Sequence, residues 1–287
     1  MQGIAPPVVV PFDSDGAVDH DRLQSLVTAF EQAGVDFLVP CGSTGEAELL
    51  TGAERAAVIE TVVETASVPV VAGTGHPGLR ETLQSTERAA TAGADAALVI
   101  TPFYYPHDQA TLEAYYHDVA DAAPIPVYLY MVPKFTDVAL DSRTVARLAS
   151  HPNIAGVKDS RGTLEELVRT SRFIGADESF ELFVGDAALL ANALDTRAVG
   201  GILALANLVP EALVEVFDVH DDDPERAREL NANLIEANRA IGRHGIPGLK
   251  WAMRERGFSA GYARTPHCSA SEAAREEFGS LLDELGL

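Results

Sequence analysis

The chain has three lysines in 287 residues, Lys134, Lys158 and Lys250, and one of them closes a short apolar run, "IAGVKDS" at 154–160. An ammonium at the end of a buried strand is costly to desolvate unless its charge is paired or its pKa falls. Either Lys158 is held in a structural ion pair, or it is a reactive amine. Asp159 is its neighbour in sequence, but side chains alternate along a strand and Asp159 should face the other side. Other reactive groups stand near similar runs: Tyr130 in "YLYMVP", Tyr104 and Tyr105 in "TPFYYP", and Gly42, Ser43 and Thr44 in "CGSTGE". Together these are the parts for imine chemistry on a keto acid. A neutral amine attacks the carbonyl, and burial can bring a lysine pKa from about 10.4 to about 7 to 8. A phenol shuttles protons, and the backbone N–H groups and hydroxyls of a small-residue turn hold a carboxylate. Each feature alone has a plainer reading: Tyr130 as a core aromatic, "GSTGE" as a turn before a helix, Tyr104 and Tyr105 as surface packing.

Such residues need a scaffold that brings distant runs together. Short β-branched segments recur at 5–11, 35–41, 68–73, 96–101, 126–131, 154–159, 180–185 and 199–205, which predicts eight strands. Amphipathic stretches separate them. In the first, Leu23, Leu26, Val27 and Phe30 recur at helical spacing with Gly34 as a C-terminal stop; in the second, Thr51 and Glu54 form a capping box. Eight strands alternating with helices close most naturally as an α/β fold of the (β/α)8 TIM-barrel type, over residues 1–220. Residues 221–287 read as a C-terminal helical extension packed on the barrel, with helices at about 224–242, 247–256 and 270–285. A doubly wound sheet is the structural rival, but no GxGxxG follows the first strand.

In a barrel the carboxyl ends of the strands carry the chemistry, which makes those ends a site map. Lys158 and Tyr130 are the expected catalytic pair, at similar depth on adjacent strands. Residues near Lys134, Phe135, Asp186 and Ala206 are expected to set substrate length and stereochemistry.

Composition narrows the partners. Forty-three acidic against twenty-one basic residues give a formal charge of −22, which repels nucleic acid and anionic membrane. The acidic stretches suit a cytoplasm with molar salt, where a Debye length of about 3 Å screens self-repulsion. A halophilic source is the corresponding expectation, and an ordinary acidic enzyme is the alternative. Cys41 and Cys268 lie far apart with no CxxC spacing, so neither a disulfide framework nor a zinc site is expected. The first residues lack a signal-peptide pattern and no apolar run reaches membrane-spanning length, so a soluble cytoplasmic protein is expected.

The order "GSTGE", "TPFYYP", "YLYMVP", "GVKDS", with "LTGAER", "GGILALANLVP" and "GLKWAMRERG", resembles the dihydrodipicolinate synthase / N-acetylneuraminate lyase family of class I aldolases along nearly the whole chain. The resemblance implies a Schiff-base enzyme handling pyruvate or a 2-keto acid, usually a homotetramer. Carried over, Lys158 forms the imine and Tyr130 is the proton shuttle. Ser43 and Thr44 bind the carboxylate and relay protons, and Tyr104 reaches into a neighbouring subunit's site. Ser43 stands where many relatives have threonine. Dihydrodipicolinate synthases carry an arginine two residues after the proline of the strand-5 motif, where this chain has Phe135, which disfavours lysine synthesis. "PFYYPHD" and "IPVYLYMVP" instead resemble archaeal 2-keto-3-deoxygluconate aldolases, and a haloarchaeal source fits the charge. In relatives that accept the 6-phosphate a basic residue follows "YYP"; His107 here favours non-phosphorylated substrates.

The resulting expectation is reversible cleavage of a 2-keto-3-deoxy sugar acid to pyruvate and an aldehyde. No metal or organic cofactor is required, because the lysine supplies the electron sink. A dehydratase or dihydrodipicolinate synthase of the same family is the near alternative. A non-catalytic keto-acid-binding protein and a phosphate-handling barrel isomerase are the distant ones; for the isomerase "VGDAALL" offers no phosphate cup.

Overall fold

The computed structural model describes residues 1–175 and 179–287. Seven parallel strands, β1 (Gly3–Ala5), β2 (Val71–Gly73), β3 (Ala96–Ile100), β4 (Val127–Met131), β5 (Ile154–Asp159), β6 (Glu181–Val184) and β7 (Gly200–Ile202), pair in the order β1-β7-β6-β5-β4-β3-β2. The two edges of this sheet do not face solvent. Segment 35–41, expected as a strand, bridges them by backbone hydrogen bonds. On one side Asp36 N donates to Ile4 O (2.9 Å) and Val39 N to Pro6 O (3.2 Å); on the other Leu38 N donates to Pro69 O and Gly73 N to Pro40 O (both 2.9 Å). The sheet curls into a ring, as a TIM barrel requires. Only Leu38 in this segment makes a regular bridge, to Val70. Pro69 has no N–H for the ladder, nor does Pro40, so pairing there is intermittent.

The first strand departs from expectation. It lies at Gly3–Ala5, and the run expected at 5–11 continues as buried, non-strand backbone. Pro6 and Pro7 interrupt donation, while Val8, Val9 and Val10 are fully buried all the same. The remaining strands fall within the expected segments.

Side-chain alternation splits the core into two layers. Leu98, Tyr128, Tyr130, Phe183 and Ile202 fill the inside of the ring with Phe37 and Val39, whereas Val99, Leu129, Met131, Val157 and Leu182 pack outward under the helices. Tyr128 and Phe37 meet Phe183 edge-on at centroid distances of 6.0 and 5.3 Å, forming an aromatic floor. Gly156 sits in this floor. A Cβ there would come within 2.3 Å of Glu181 O and 2.9 Å of the Tyr128 ring, so only glycine lets β5 and β6 close over the tyrosine.

The helices follow their sequence signals. His20–Gln32 starts at Asp19, whose carboxylate accepts from Arg22 N, and stops before Gly34, which takes the left-handed φ of 86°. Gly52–Thr65 starts with the capping box of Thr51 and Glu54. The C-terminal helices differ from their expected bounds. They run Pro224–Asn233, Ile235–Glu255 and Glu272–Leu285, so the chain breaks at Leu234 where a continuous helix was expected. Within Ile235–Glu255 the gap expected between 242 and 247 shrinks to one residue, Gly245 (φ 64°, ψ −162°), two before Pro247. Pro247 lacks an N–H and crowds the preceding turn, and glycine alone takes that φ without penalty. No helix among the described residues is long and apolar enough to cross a membrane.

Candidate active site

A cavity of about 560 Å³ opens at the carboxyl ends of the strands. The barrel's registry sets its base. Tyr130 on β4 is directly opposite Lys158 on β5, and Lys158 is opposite Phe183 on β6, so amine, phenol and aromatic floor share the inward layer. The Lys158 ammonium lies 4.4 Å from the centroid of the Tyr130 ring. It is 3% exposed, and no carboxylate lies within ion-pair distance of it among the described residues. Burial brings its pKa down from 10.5 to about 7.

Asp159 resolves the alternative of a structural ion pair. Alternation turns it to the outside of the ring, where Arg161 engages both of its oxygens, with Nε 3.0 Å from Oδ1 and 3.1 Å from Oδ2. Arg161 also reaches Glu166 (2.7 Å) and the Thr170 hydroxyl (2.8 Å). The carboxylate next to Lys158 in sequence is thereby neutralised elsewhere, and the amine is left with desolvation alone.

Around the phenol the hydroxyls converge. Ser43 Oγ is 3.3 Å from the Tyr130 hydroxyl, and the Ser160 hydroxyl is near enough to act on its titration. Burial raises the Tyr130 pKa, which the two hydroxyls offset only in part, so at neutral pH it is a phenol able both to donate and to accept hydrogen bonds. Gly185 leaves room for Ser160, because a Cβ there would lie 1.8 Å from its hydroxyl. Ser43 and Thr44 open a single 3-10 turn, Ser43–Gly45, whose backbone bonds are Gly45 N to Gly42 O (3.0 Å) and Glu46 N to Ser43 O (3.2 Å). The N–H groups of Ser43 and Thr44 have no acceptor within the turn, and both residues line the cavity.

The upper wall comes from further away. Lys134 and Phe135 stand on one side, with Phe135 65% exposed at the rim. Asp186 stands on the other, its Oδ1 accepting from Ala188 N (3.0 Å) and from Asn238 Nδ2 (2.8 Å). Asn238, Ile241, Gly242, Gly245 and Ile246 of the kinked helix complete the cavity's lining. His267 from the following loop joins them.

The expected residues therefore sort unequally. Lys158, Tyr130, Ser43, Thr44, Phe135 and Asp186 meet at one cavity. Ala206 does not: it is fully buried, and Ala204 lines the wall instead. The one-turn 3-10 helix at Ala204–Asn207 rotates Ala206 into the core, a twist that a strand reading of "LALAN" could not contain. Gly42 lines a small adjoining recess with Ser43 and Tyr130 rather than the cavity itself. Tyr104 is 84% exposed, stacks edge-on with Tyr105 at 5.0 Å and lies outside this chain's cavity, which Phe103 lines in its place. Its φ of 80° is a costly conformation for tyrosine. His107 does not line the cavity either. Sequence reading missed Asn238 and His267, because both lie outside strand ends, and Ser160, whose signal was its place two residues after Lys158. Among the described residues, no group of three or more His, Cys, Asp or Glu is arranged to hold a metal ion.

Fold and cavity define the class: a parallel α/β barrel with a buried, unpaired amine at the carboxyl end of its strands. The particular family follows from comparison with known proteins. The model of the dihydrodipicolinate synthetase family matches residues 1–285, and the chain belongs to that family, whose members are lyases. It is 37% identical over 288 residues to 4-hydroxy-tetrahydrodipicolinate synthase of Methanothrix thermoacetophila, covering 99% of this chain and 97% of that protein. It is also 37% identical over 291 residues to an uncharacterized DapA-like lyase of Halobacterium salinarum, covering 100% of this chain and 95% of that protein. Among solved structures, a prophage protein of E. coli K12 belonging to the dihydrodipicolinic acid synthase family, in complex with pyruvate, superposes with a TM-score of 0.96. The two share 30% identity, with 100% of this chain and 99% of that chain covered. Dihydrodipicolinate synthase from Acinetobacter baumannii complexed with pyruvate gives a TM-score of 0.94 at 33% identity, covering 99% of each chain.

Proposed function

We propose that this protein is a pyruvate-dependent class I aldolase that cleaves a 2-keto-3-deoxy sugar acid reversibly to pyruvate and an aldehyde. One observation carries the reading: Lys158 is a buried amine with a pKa near 7, opposite a buried phenol and without a counter-charge. The neutral amine attacks C2 of the keto acid. Loss of water leaves a protonated imine. The Tyr130 phenol relays the C4 hydroxyl proton, accepting it while its own proton passes on through the adjacent Ser43 hydroxyl, as the C3–C4 bond breaks. The bond's electron pair moves into C2=C3 and neutralises the iminium nitrogen, and the aldehyde leaves. The relayed proton is delivered to C3, and addition of water then releases pyruvate and the free amine. The Ser43 and Thr44 N–H groups hold the keto-acid carboxylate throughout.

The sugar-acid substrate is supported by the upper wall. Asp186 and Asn238 offer an acceptor and an amide to hydroxyl groups, and an arginine for a second carboxylate is missing at Phe135. A second reading, 4-hydroxy-tetrahydrodipicolinate synthesis, is favoured by the names of the relatives and by Lys134, a cation on the cavity wall. A substrate panel separates the two. Pyruvate release from 2-keto-3-deoxygluconate supports the aldolase. Condensation of pyruvate with aspartate semialdehyde, without sugar-acid cleavage, supports the synthase.

The same reading has Tyr104 completing the relay of a neighbouring subunit in a homotetramer, which its outward ring allows. It takes the barrel as residues 1–220 and the helical extension as 221–287. It further holds that the acidic chain works in a cytoplasm at high salt, in keeping with its likeness to a Halobacterium protein.

A further inference from the structure

Beneath the carboxylate turn lies a charged cluster that the reaction above does not use. Glu46 follows Gly45 at the end of the Ser43–Gly45 turn and takes a left-handed conformation, φ 54° and ψ 34°. A glutamate adopts that region at a cost, so something must hold it there. Both of its carboxylate oxygens are engaged. Oε1 accepts from the Lys250 ammonium, and Oε2 accepts from Arg264 N at 2.9 Å. The Glu46 and Lys250 side chains are both fully buried. Lys250 spends its remaining N–H donors on Val10 O and Tyr262 O, each at 2.7 Å. One ammonium thus fastens three segments at a single point: the extended run after β1, the carboxylate turn, and the loop after the kinked helix. The turn packs on that same run, since a Cβ on Gly45 would lie 2.7 Å from Val8 O.

We propose that Lys250 and Glu46 are positioning residues for the 2-keto acid carboxylate. Their ion pair fixes the Ser43–Thr44 turn so that its N–H groups converge on that group, and so selects carboxylated carbonyl substrates over neutral ones. The proposal rests on the imine reading above. A buried pair that served only to hold the fold would favour no class of carbonyl, and replacing such pairs by apolar groups is often neutral for stability.

The test is cyanoborohydride trapping on Lys158, quantified by peptide mass, with two probes: pyruvate, and acetaldehyde, a carbonyl without a carboxylate. Wild type is compared with Lys250→Met and with the charge-neutral double variant Glu46→Gln/Lys250→Met, which keeps an acceptor for Arg264 N. In both variants the pyruvate concentration for half-maximal trapping should rise by about tenfold or more, while acetaldehyde trapping stays within about twofold of wild type. Equal losses with both probes in the folded double variant, or no loss with pyruvate, overturn the positioning role. If wild type traps neither probe on Lys158, the imine reading itself fails, and the positioning role fails with it.

Discussion

Replacing Lys158 by methionine should stabilise the protein, and the gain should depend on pH in a way that reports the amine's environment. In the unfolded chain Lys158 titrates near 10.5; in the folded barrel, burial brings it to about 7. Below about pH 7 both states are protonated, and the fold carries the full cost of an unpaired buried cation. That cost is about 5 kcal/mol, at about 1.4 kcal/mol for each factor of ten. Between the two values the folded amine is neutral while the unfolded one is charged, so the cost falls by about 1.4 kcal/mol per pH unit and vanishes near 10.5. Methionine has a similar reach, fits against the Tyr130 ring and carries no charge. The variant should therefore gain about 4 kcal/mol at pH 7 and about 1 kcal/mol at about pH 9.5. Denaturant unfolding at high salt, at about pH 6.5, about 8 and about 9.5, reads this as a shift in midpoint at constant slope. A gain that does not change with pH, or destabilisation at every pH, would refute the claim that the amine is buried without a partner.

Three further outcomes are expected. Tyr130→Phe keeps the ring over Lys158 but removes the hydroxyl next to Ser43; turnover should fall by about 10²- to 10⁴-fold while pyruvate still traps on Lys158. Asp186→Ala removes an acceptor from the upper wall. It should lower kcat/KM for a polyhydroxylated substrate by about tenfold and leave the pyruvate trapping rate unchanged, as measured in parallel assays. Arg161→Met strands the buried Asp159 carboxylate and should destabilise the fold by about 3 to 5 kcal/mol in the same denaturant assay.

Local signals in the chain carried far where the physics is local. The Thr51–Glu54 capping box, the stop at Gly34 and the apolar runs at 96–101 and 154–159 each depend on neighbours a few residues away, and the structure places them as read. Alternation alone turned Asp159 away from Lys158, and the structure sets Lys158 opposite Tyr130 as their similar depth implied. What escaped reading depends on distant contacts. The break at Leu234 has no proline or glycine beside it to mark it, and Asn238 lines the cavity from a helix far from any strand end. The displacement of Ala206 by Ala204 turns on one 3-10 turn. Glu46 and Lys250 are 204 residues apart, so "GSTGE" and "GLKWAM" could be seen as motifs without any sign that they touch.

The measurement that bears most directly on the account is borohydride reduction of the protein with pyruvate at high salt, followed by peptide mass analysis. The account predicts the mass of a reduced pyruvate adduct on the peptide that contains Lys158, and none there when Lys158 is replaced by methionine. Folded protein with Lys158 unmodified would contradict it, and would reduce this cavity to a family fold without the family's chemistry.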